Sequence, residues 1–143
     1  MEIRDLMTPS TVSVTADESV AHAARLMARH NVGSLPVRGE AGRLCGIVTD
    51  RDLVVRCLAA GDNPLHTTVG AVMTPQVSTA APTDTLAHGA HVMAKRQVRR
   101  LPIVDRSGRL CGMLSLSDVA KCRDFHMEAA SCLTEISRNV KKW

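Results

Sequence analysis

Apolar and polar positions along the chain change period in a fixed order. Thr11 to Val14 alternates and is β-branched at three of its four positions, which predicts a short strand. Asp17-Glu18-Ser19 follows, with a hydroxyl suited to an N-cap and acids suited to the positive end of a helix. Val20, Ala23, Ala24, Met27 and Ala28 then recur at helical spacing and predict an amphipathic helix ending near His30-Asn31. A strand over Ser34 to Arg38, a turn at Gly39 to Gly42, a strand over Arg43 to Thr49 and a helix from Asp50 to about Ala59 complete the run. Gly61-Asp62-Asn63-Pro64 reads as a loop.

The same order returns later in the chain. It predicts a strand near Val77 to Ala80, a helix over Thr85 to Arg96, strands at Arg100 to Asp105 and Leu110 to Ser115, and a helix from about Leu116. The return is literal as well as periodic. Met7-Thr8-Pro9 recurs 66 positions on as Met73-Thr74-Pro75, and Leu35-Pro36 as Leu101-Pro102. Gly42-Arg43-Leu44-Cys45-Gly46 recurs as Gly108-Arg109-Leu110-Cys111-Gly112, and Asp52 as Asp118, at the same offset without a gap. This is a duplicated unit. Each copy reads as β-α-β-β-α, too small to bury both faces of its sheet alone. The expected division is repeat 1 over 5–60, a linker over 61–70, repeat 2 over 71–124 and a C-terminal helix over 125–143.

Two β-α-β-β-α units, each opened by "MTP" and closed by "GIVTDRDL" or "GMLSLSD", resemble a tandem pair of cystathionine-β-synthase (CBS) domains over about residues 5–122. The chain is similar in particular to small stand-alone bacterial two-CBS proteins, including the hypoxic-response type. The resemblance implies an α/β (α+β) fold in which the two repeats pack face to face about an approximate two-fold axis. It also implies a homodimeric disc and a regulatory adenosine ligand (AMP, ADP or ATP, and in some members NAD or S-adenosylmethionine) bound in clefts between the repeats. No cofactor is required, and the module senses energy or stress state for an effector protein that the sequence does not name.

In the family motif Gly-h-h-[Ser/Thr]-x-x-Asp, the carboxylate holds the ribose diol and the hydroxyl lies toward sugar and phosphate. The chemistry suits the spacing, since an ionised carboxylate accepts two bonds in forked geometry and a ribose offers two vicinal donors. A helix N-terminus beside it favours phosphate. The matching positions are Thr49 and Asp52 in one copy and Ser115 and Asp118 in the other, with Arg51 and Ser117 just before each Asp. By family position, Thr8, Val12 and Gly33 complete the Asp118 cleft, with Arg99 and Arg100 reaching the phosphates. Thr74, Ser78 and Arg99 complete the Asp52 cleft, with Gly33 and Ser34 on its own side. Arg99-Arg100 stands where the first copy has Gly33-Ser34, so phosphate charge is better matched in the Asp118 cleft. The competing reading of each Thr/Ser-x-x-Asp is a pair that only caps a helix. Under it the protein is a scaffold or interaction module.

Composition narrows the partners. The chain has 143 residues, 45% of them apolar, but only one Phe and one Trp, so stacking platforms for single-stranded nucleic acid are missing. A net charge of +4 is scattered apart from Arg99-Arg100 and Lys141-Lys142, which argues against a nucleic-acid stripe. No apolar run reaches the ~18 residues of a membrane span, and the charged start Met1-Glu2-Ile3-Arg4-Asp5 lacks the core of a secretory signal. The expectation is a soluble, cytoplasmic protein. Five cysteines without CxxC spacing suit a reducing compartment. Cys45 and Cys111 are expected to be buried small hydrophobes, while Cys57, Cys122 and Cys132 keep open a thiol-based stress sensor as an alternative. His88 and His91 share a helix face but have no third ligand placed with them, so no metal site is expected. Nothing in the motif set marks an enzyme. From Phe125 to Trp143, Phe125, Ala129, Leu133, Ile136 and Val140 fall at helical steps and predict an amphipathic helix that packs on its own core or supports a dimer.

Overall fold

The structure, a computed structural model, describes residues 1–9, 11–122 and 126–138. The chain begins with a 3-10 turn at Ile3–Asp5, followed by strands β1 (Thr8–Pro9) and β2 (Val14–Thr15), helix α1 (Val20–His30) and strand β3 (Ser34–Arg38). Next come β4 (Leu44–Thr49), α2 (Asp50–Leu53), a π-helical turn at Val54–Leu58, and α3 (Val69–Val72). The second half holds α4 (Leu86–Arg96), β5 (Arg100–Val104), β6 (Leu110–Ser115), α5 (Leu116–Lys121) and α6 (His126–Ser137).

Local chemistry sets the helix ends. Ser19 Oγ accepts the His22 amide at 3.0 Å and starts α1, and Thr85 Oγ1 accepts the His88 amide at 3.1 Å and starts α4. Asn31 and Gln97 then turn left-handed, with φ of 51° and 56°, and end the two helices at equivalent positions. Gly39 to Gly42, expected as a plain turn, includes a short 3-10 turn at Glu40–Gly42.

Residues Val12–Val77 form one compact unit. Its sheet has the order β2-β3-β4, with β2 parallel to β3 (Val14↔Val37) and β3 antiparallel to β4 (Ser34↔Thr49). Val14, Leu35, Val37 and Val48 from the sheet bury against Val20, Ala23 and Met27 of α1. Val69 and Val72 of α3 join the same core, so helical structure begins inside the segment expected as linker. Thr67 and Pro64 carbonyls accept the amides of Val20 and Ala21, which ties that segment to the start of α1. The helix expected over 50–59 is α-helical only to Leu53 and continues as the π turn.

Met1–Thr11 and Ser78–Trp143 make up the other compact unit. Its sheet has the order β1-β6-β5, and both pairings are antiparallel. Leu86, Ala90 and Met93 of α4 pack on Leu101, Ile103 and Leu114, and Ile3 from the chain start is fully buried among them. The compact units therefore do not coincide with the repeats read as 5–60 and 71–124. The leader of repeat 1 lies on the sheet of repeat 2 (Thr8↔Met113), and the leader of repeat 2 bridges the sheet of repeat 1 (Ile47↔Thr74).

Two expected strands shift. The strand of Thr11 to Val14 is observed as Val14–Thr15, and that of Val77 to Ala80 is reduced to a single parallel bridge, Ala80↔Ile103. Pro82 explains the reduction. The next rung of that ladder needs an amide at position 82, where proline has none and the first repeat has Ala16.

Helix α6 lies within the range expected for the tail. Ala129 and Cys132 are buried and Ile136 is partly buried against the core, but Leu133 is exposed. Phe125, Val140, Lys141, Lys142 and Trp143, also assigned to this helix, lie outside the described residues. No described helix is long and apolar enough to cross a membrane.

Candidate functional site

Strand β4 runs straight into α2 and strand β6 into α5, and each junction carries the same reciprocal pair. Thr49 Oγ1 accepts the Asp52 amide at 3.1 Å while Asp52 Oδ2 accepts the Thr49 amide at 2.9 Å. Ser115 Oγ accepts the Asp118 amide at 3.1 Å and Asp118 Oδ2 accepts the Ser115 amide at 2.9 Å. These are capping boxes. The capping role weighed from the sequence is therefore real in both copies. It occupies only one oxygen of each carboxylate. Oδ1 of Asp52 lies 3.9 Å from Arg56 Nε, and Oδ1 of Asp118 has no hydrogen-bond or ion-pair partner among the described residues.

The unit of Asp52 also holds Val12, Gly33, Ser34, Arg51 and Thr74. Ser34 stands opposite Thr49 across β3 and β4, and its hydroxyl is buried without a hydrogen-bond partner among the described residues. An orphaned buried hydroxyl is uncommon and marks a place where a partner is missing. Gly33 is exposed, and its carbonyl accepts the Asp50 amide at 2.9 Å. Arg51 points to solvent. Thr74 exchanges backbone bonds with Ile47 at 2.8 and 3.0 Å, which seats the second "MTP" along β4. Val12 is half-buried against this unit's core. Arg56, which sequence reasoning passed over, donates to the Val72 and Met73 carbonyls at 3.2 Å beside Asp52. Its place four residues after Asp52 on a helix was the available signal.

Thr8, Ser78, Arg99, Arg100, Ser115, Ser117 and Asp118 fall in the other unit. Four of them come together. Arg99 and Arg100 at the start of β5, with Ser115 and Ser117 at the β6–α5 junction, edge a cavity of about 620 Å³. Ser115 and Ser117 hydroxyls lie 2.9 Å apart. Asp118 does not line this cavity but is tied to its rim through Ser115. Thr8 is exposed on β1, and Ser78 lies half-buried outside any strand or helix. The opposite wall comes from α6, through His126, Ala129, Ala130 and Leu133. These residues were read from the sequence only as a helix face, because a helical period does not say which hollow the face covers.

The cysteines depart from expectation. Cys45 and Cys111 are half-buried rather than buried, because each precedes the buried glycine of its strand, whereas Cys57 and Cys132 lie in the core. Burial raises the Cys132 thiol above its ordinary range, and burial with Asp105 nearby does the same for Cys111. Thiolate is the reactive form, so raising the pKa removes reactivity at neutral pH. This works against Cys132 as a sensing thiol, whereas Cys122, another of the candidates, is only half-buried. Native alkylation with peptide mapping should label Cys132 slowly at about pH 7 and faster at about pH 9, with full labelling at neutral pH only after unfolding. Rapid native labelling at neutral pH would contradict its burial. Among the described residues no three His, Cys, Asp or Glu side chains gather as a metal site, His88 and His91 included.

The family model for the CBS domain matches residues 3–58 and 69–124. The CBS domain-containing protein YhcV of Bacillus subtilis is 38% identical over 135 residues, covering 94% of each chain. The crystal structure of Hypoxic Response Protein I with two coordinated zinc ions is 33% identical, with a TM-score of 0.78 over 85% of this chain and 98% of that one. The crystal structure of CBSX2 in complex with AMP is 30% identical, with a TM-score of 0.74 over 84% of this chain and 93% of that one.

Proposed function

The chain belongs to the CBS-domain family, and on that premise we propose that it is a non-enzymatic regulatory module that binds an adenosine nucleotide. The observation that carries this reading is the cationic, hydroxyl-rimmed cavity of Arg99, Arg100, Ser115 and Ser117 joined through Ser115 to the Asp118 capping box. A sugar diol matches the unengaged Asp118 oxygen, and phosphates match the two guanidinium groups, whose planar forks suit them. AMP in CBSX2, a relative of the same size and fold, supports the ligand class. The Asp52 box, with Arg51 beside it and the orphaned Ser34 hydroxyl near Thr49, is a second and less cationic candidate position. The protein acts as a cytoplasmic homodimer, and ligand shifts a conformational equilibrium that an effector protein reads as energy or stress state.

The scaffold reading has one observation in its favour: both aspartates already serve as helix caps. Calorimetry against AMP, ADP, ATP, NAD and S-adenosylmethionine separates the two. Saturable heat with at least one ligand, and a melting temperature that rises with its concentration, is the expected result. Silence from all five would leave the scaffold.

A further inference from the structure

We propose that the phosphates of a nucleotide held at Asp118 lie in the cavity beneath α6, so that α6 is a ligand-contacting wall of that site. This rests on the nucleotide reading above and adds to it an element outside both matched CBS segments, which end at residue 124. The hollow of about 620 Å³ is within the size range of small-molecule sites. Its two sides differ in character. Arg99, Arg100 and Ser117 supply cationic and hydroxyl groups beside the apolar Leu116 and Ala120, while Ala130 and Leu133 of α6 supply an apolar face with His126 at its end.

The electrostatics favour an anion. No acidic side chain lines the cavity among the described residues, and neither arginine side chain has an ion-pair or hydrogen-bond partner there. Two unpaired arginines lining one cavity give it positive charge, which a phosphate neutralises. The equivalent positions of the first repeat, Gly33 and Ser34, carry no charge. The α6-walled site is thus the phosphate-sensitive one. The packing of α6 agrees: it buries Ala129 and Cys132 yet leaves Leu133 45% exposed beside the hollow, room that a ligand would fill.

Titration of ADP and of adenosine into the full chain tests this, in the wild type and in Ala130→Trp, Leu133→Glu and Met127→Glu. Wild type should bind ADP about tenfold or more tighter than adenosine. Ala130→Trp fills the hollow from an exposed helix position, and Leu133→Glu sets a carboxylate beside the phosphates. Each should weaken ADP by about tenfold, and the Leu133→Glu loss should shrink as salt rises. Met127→Glu adds the same charge to α6 away from this cavity and should bind ADP as wild type does. Matching far-UV spectra establish folding, and Leu133→Glu carries the test if Ala130→Trp does not fold. ADP bound equally well by wild type, Ala130→Trp and Leu133→Glu overturns the role of α6 and leaves the nucleotide reading standing. ADP bound no tighter than adenosine also overturns it. Binding of neither by wild type overturns the phosphate placement, and the nucleotide reading falls with it only if AMP, ATP, NAD and S-adenosylmethionine are silent too.

Discussion

Gly112→Val should lower the unfolding free energy by about 3 kcal/mol, among the largest losses for a single added side chain in this protein. A Cβ at position 112 would stand 2.5 Å from the Thr8 carbonyl oxygen and 3.1 Å from Met7 Sδ. The first of these neighbours is backbone, so it yields only if β1 moves away. Moving β1 breaks the Thr8↔Met113 and Pro9↔Gly112 pairing and exposes the inner faces of Met7 and Leu6. Gly46, the counterpart in the other unit, has Met73 Sδ and the Thr74 carbonyl each at 2.8 Å. Gly46→Val should cost less, since its backbone neighbour stands at 2.8 Å rather than 2.5 Å and its other close neighbour is the flexible end of a methionine. Gly39→Ala is the control, because its new Cβ would make only ordinary contacts of 3.7 to 3.8 Å and should change stability by less than about 0.5 kcal/mol. Urea denaturation of the three variants measures this. Gly112→Val as stable as Gly39→Ala would mean that β1 does not lie on β6. The clash also gives a physical reason for a shared motif: the glycine inside the last strand of each copy leaves room for "MTP" to cross it.

Substitution at Asp118 should separate binding from folding. Asp118→Ala removes the carboxylate that accepts the Ser115 amide, so it should cost about 1 kcal/mol of stability while reducing nucleotide affinity by about 100-fold or more. Asp118→Asn is the sharper variant. Its amide oxygen still accepts the Ser115 amide, but its other atom becomes a donor and the charge is lost, so forked acceptance of a diol fails. Stability should stay within about 0.5 kcal/mol of wild type, and affinity should fall by about tenfold. Calorimetry and thermal melting on the same samples provide both numbers. Unchanged affinity in Asp118→Asn would reduce Asp118 to its capping role, whatever ligand the protein takes.

Much of the fold was legible because the signals are local. Ser19 and Thr85 cap the helices expected to follow them, and Asn31 and Gln97 stop them where the apolar period ends. The two Thr/Ser-x-x-Asp boxes form where the motif stands, since their bonds span only three residues. The cysteines were harder to read. Cys45 and Cys111 sit in apolar strands, yet they are half-buried while Cys57 and Cys132 are buried. Exposure depends on which side of a strand or helix another element covers, and composition does not encode that. The short bridge at Ala80 was available in principle, because Pro82 cannot donate the next ladder bond.

The sequence by itself determined the duplication, the main order of elements in each copy, the ends of α1 and α4 and the capping chemistry at both strand-to-helix junctions. All of these rest on residues within a few positions of one another, or on self-similarity at a fixed offset. Only the tertiary structure decided which sheet each "MTP" leader joins, since the leaders are alike in both copies and no local rule tells one strand from its repeat. Met7-Thr8-Pro9 meets Gly112 more than a hundred residues later, and Met73-Thr74-Pro75 turns back to Gly46. The position of α6 over Arg99, Arg100 and Ser117 was likewise a tertiary outcome, because an amphipathic face requires cover without specifying what lies beneath it.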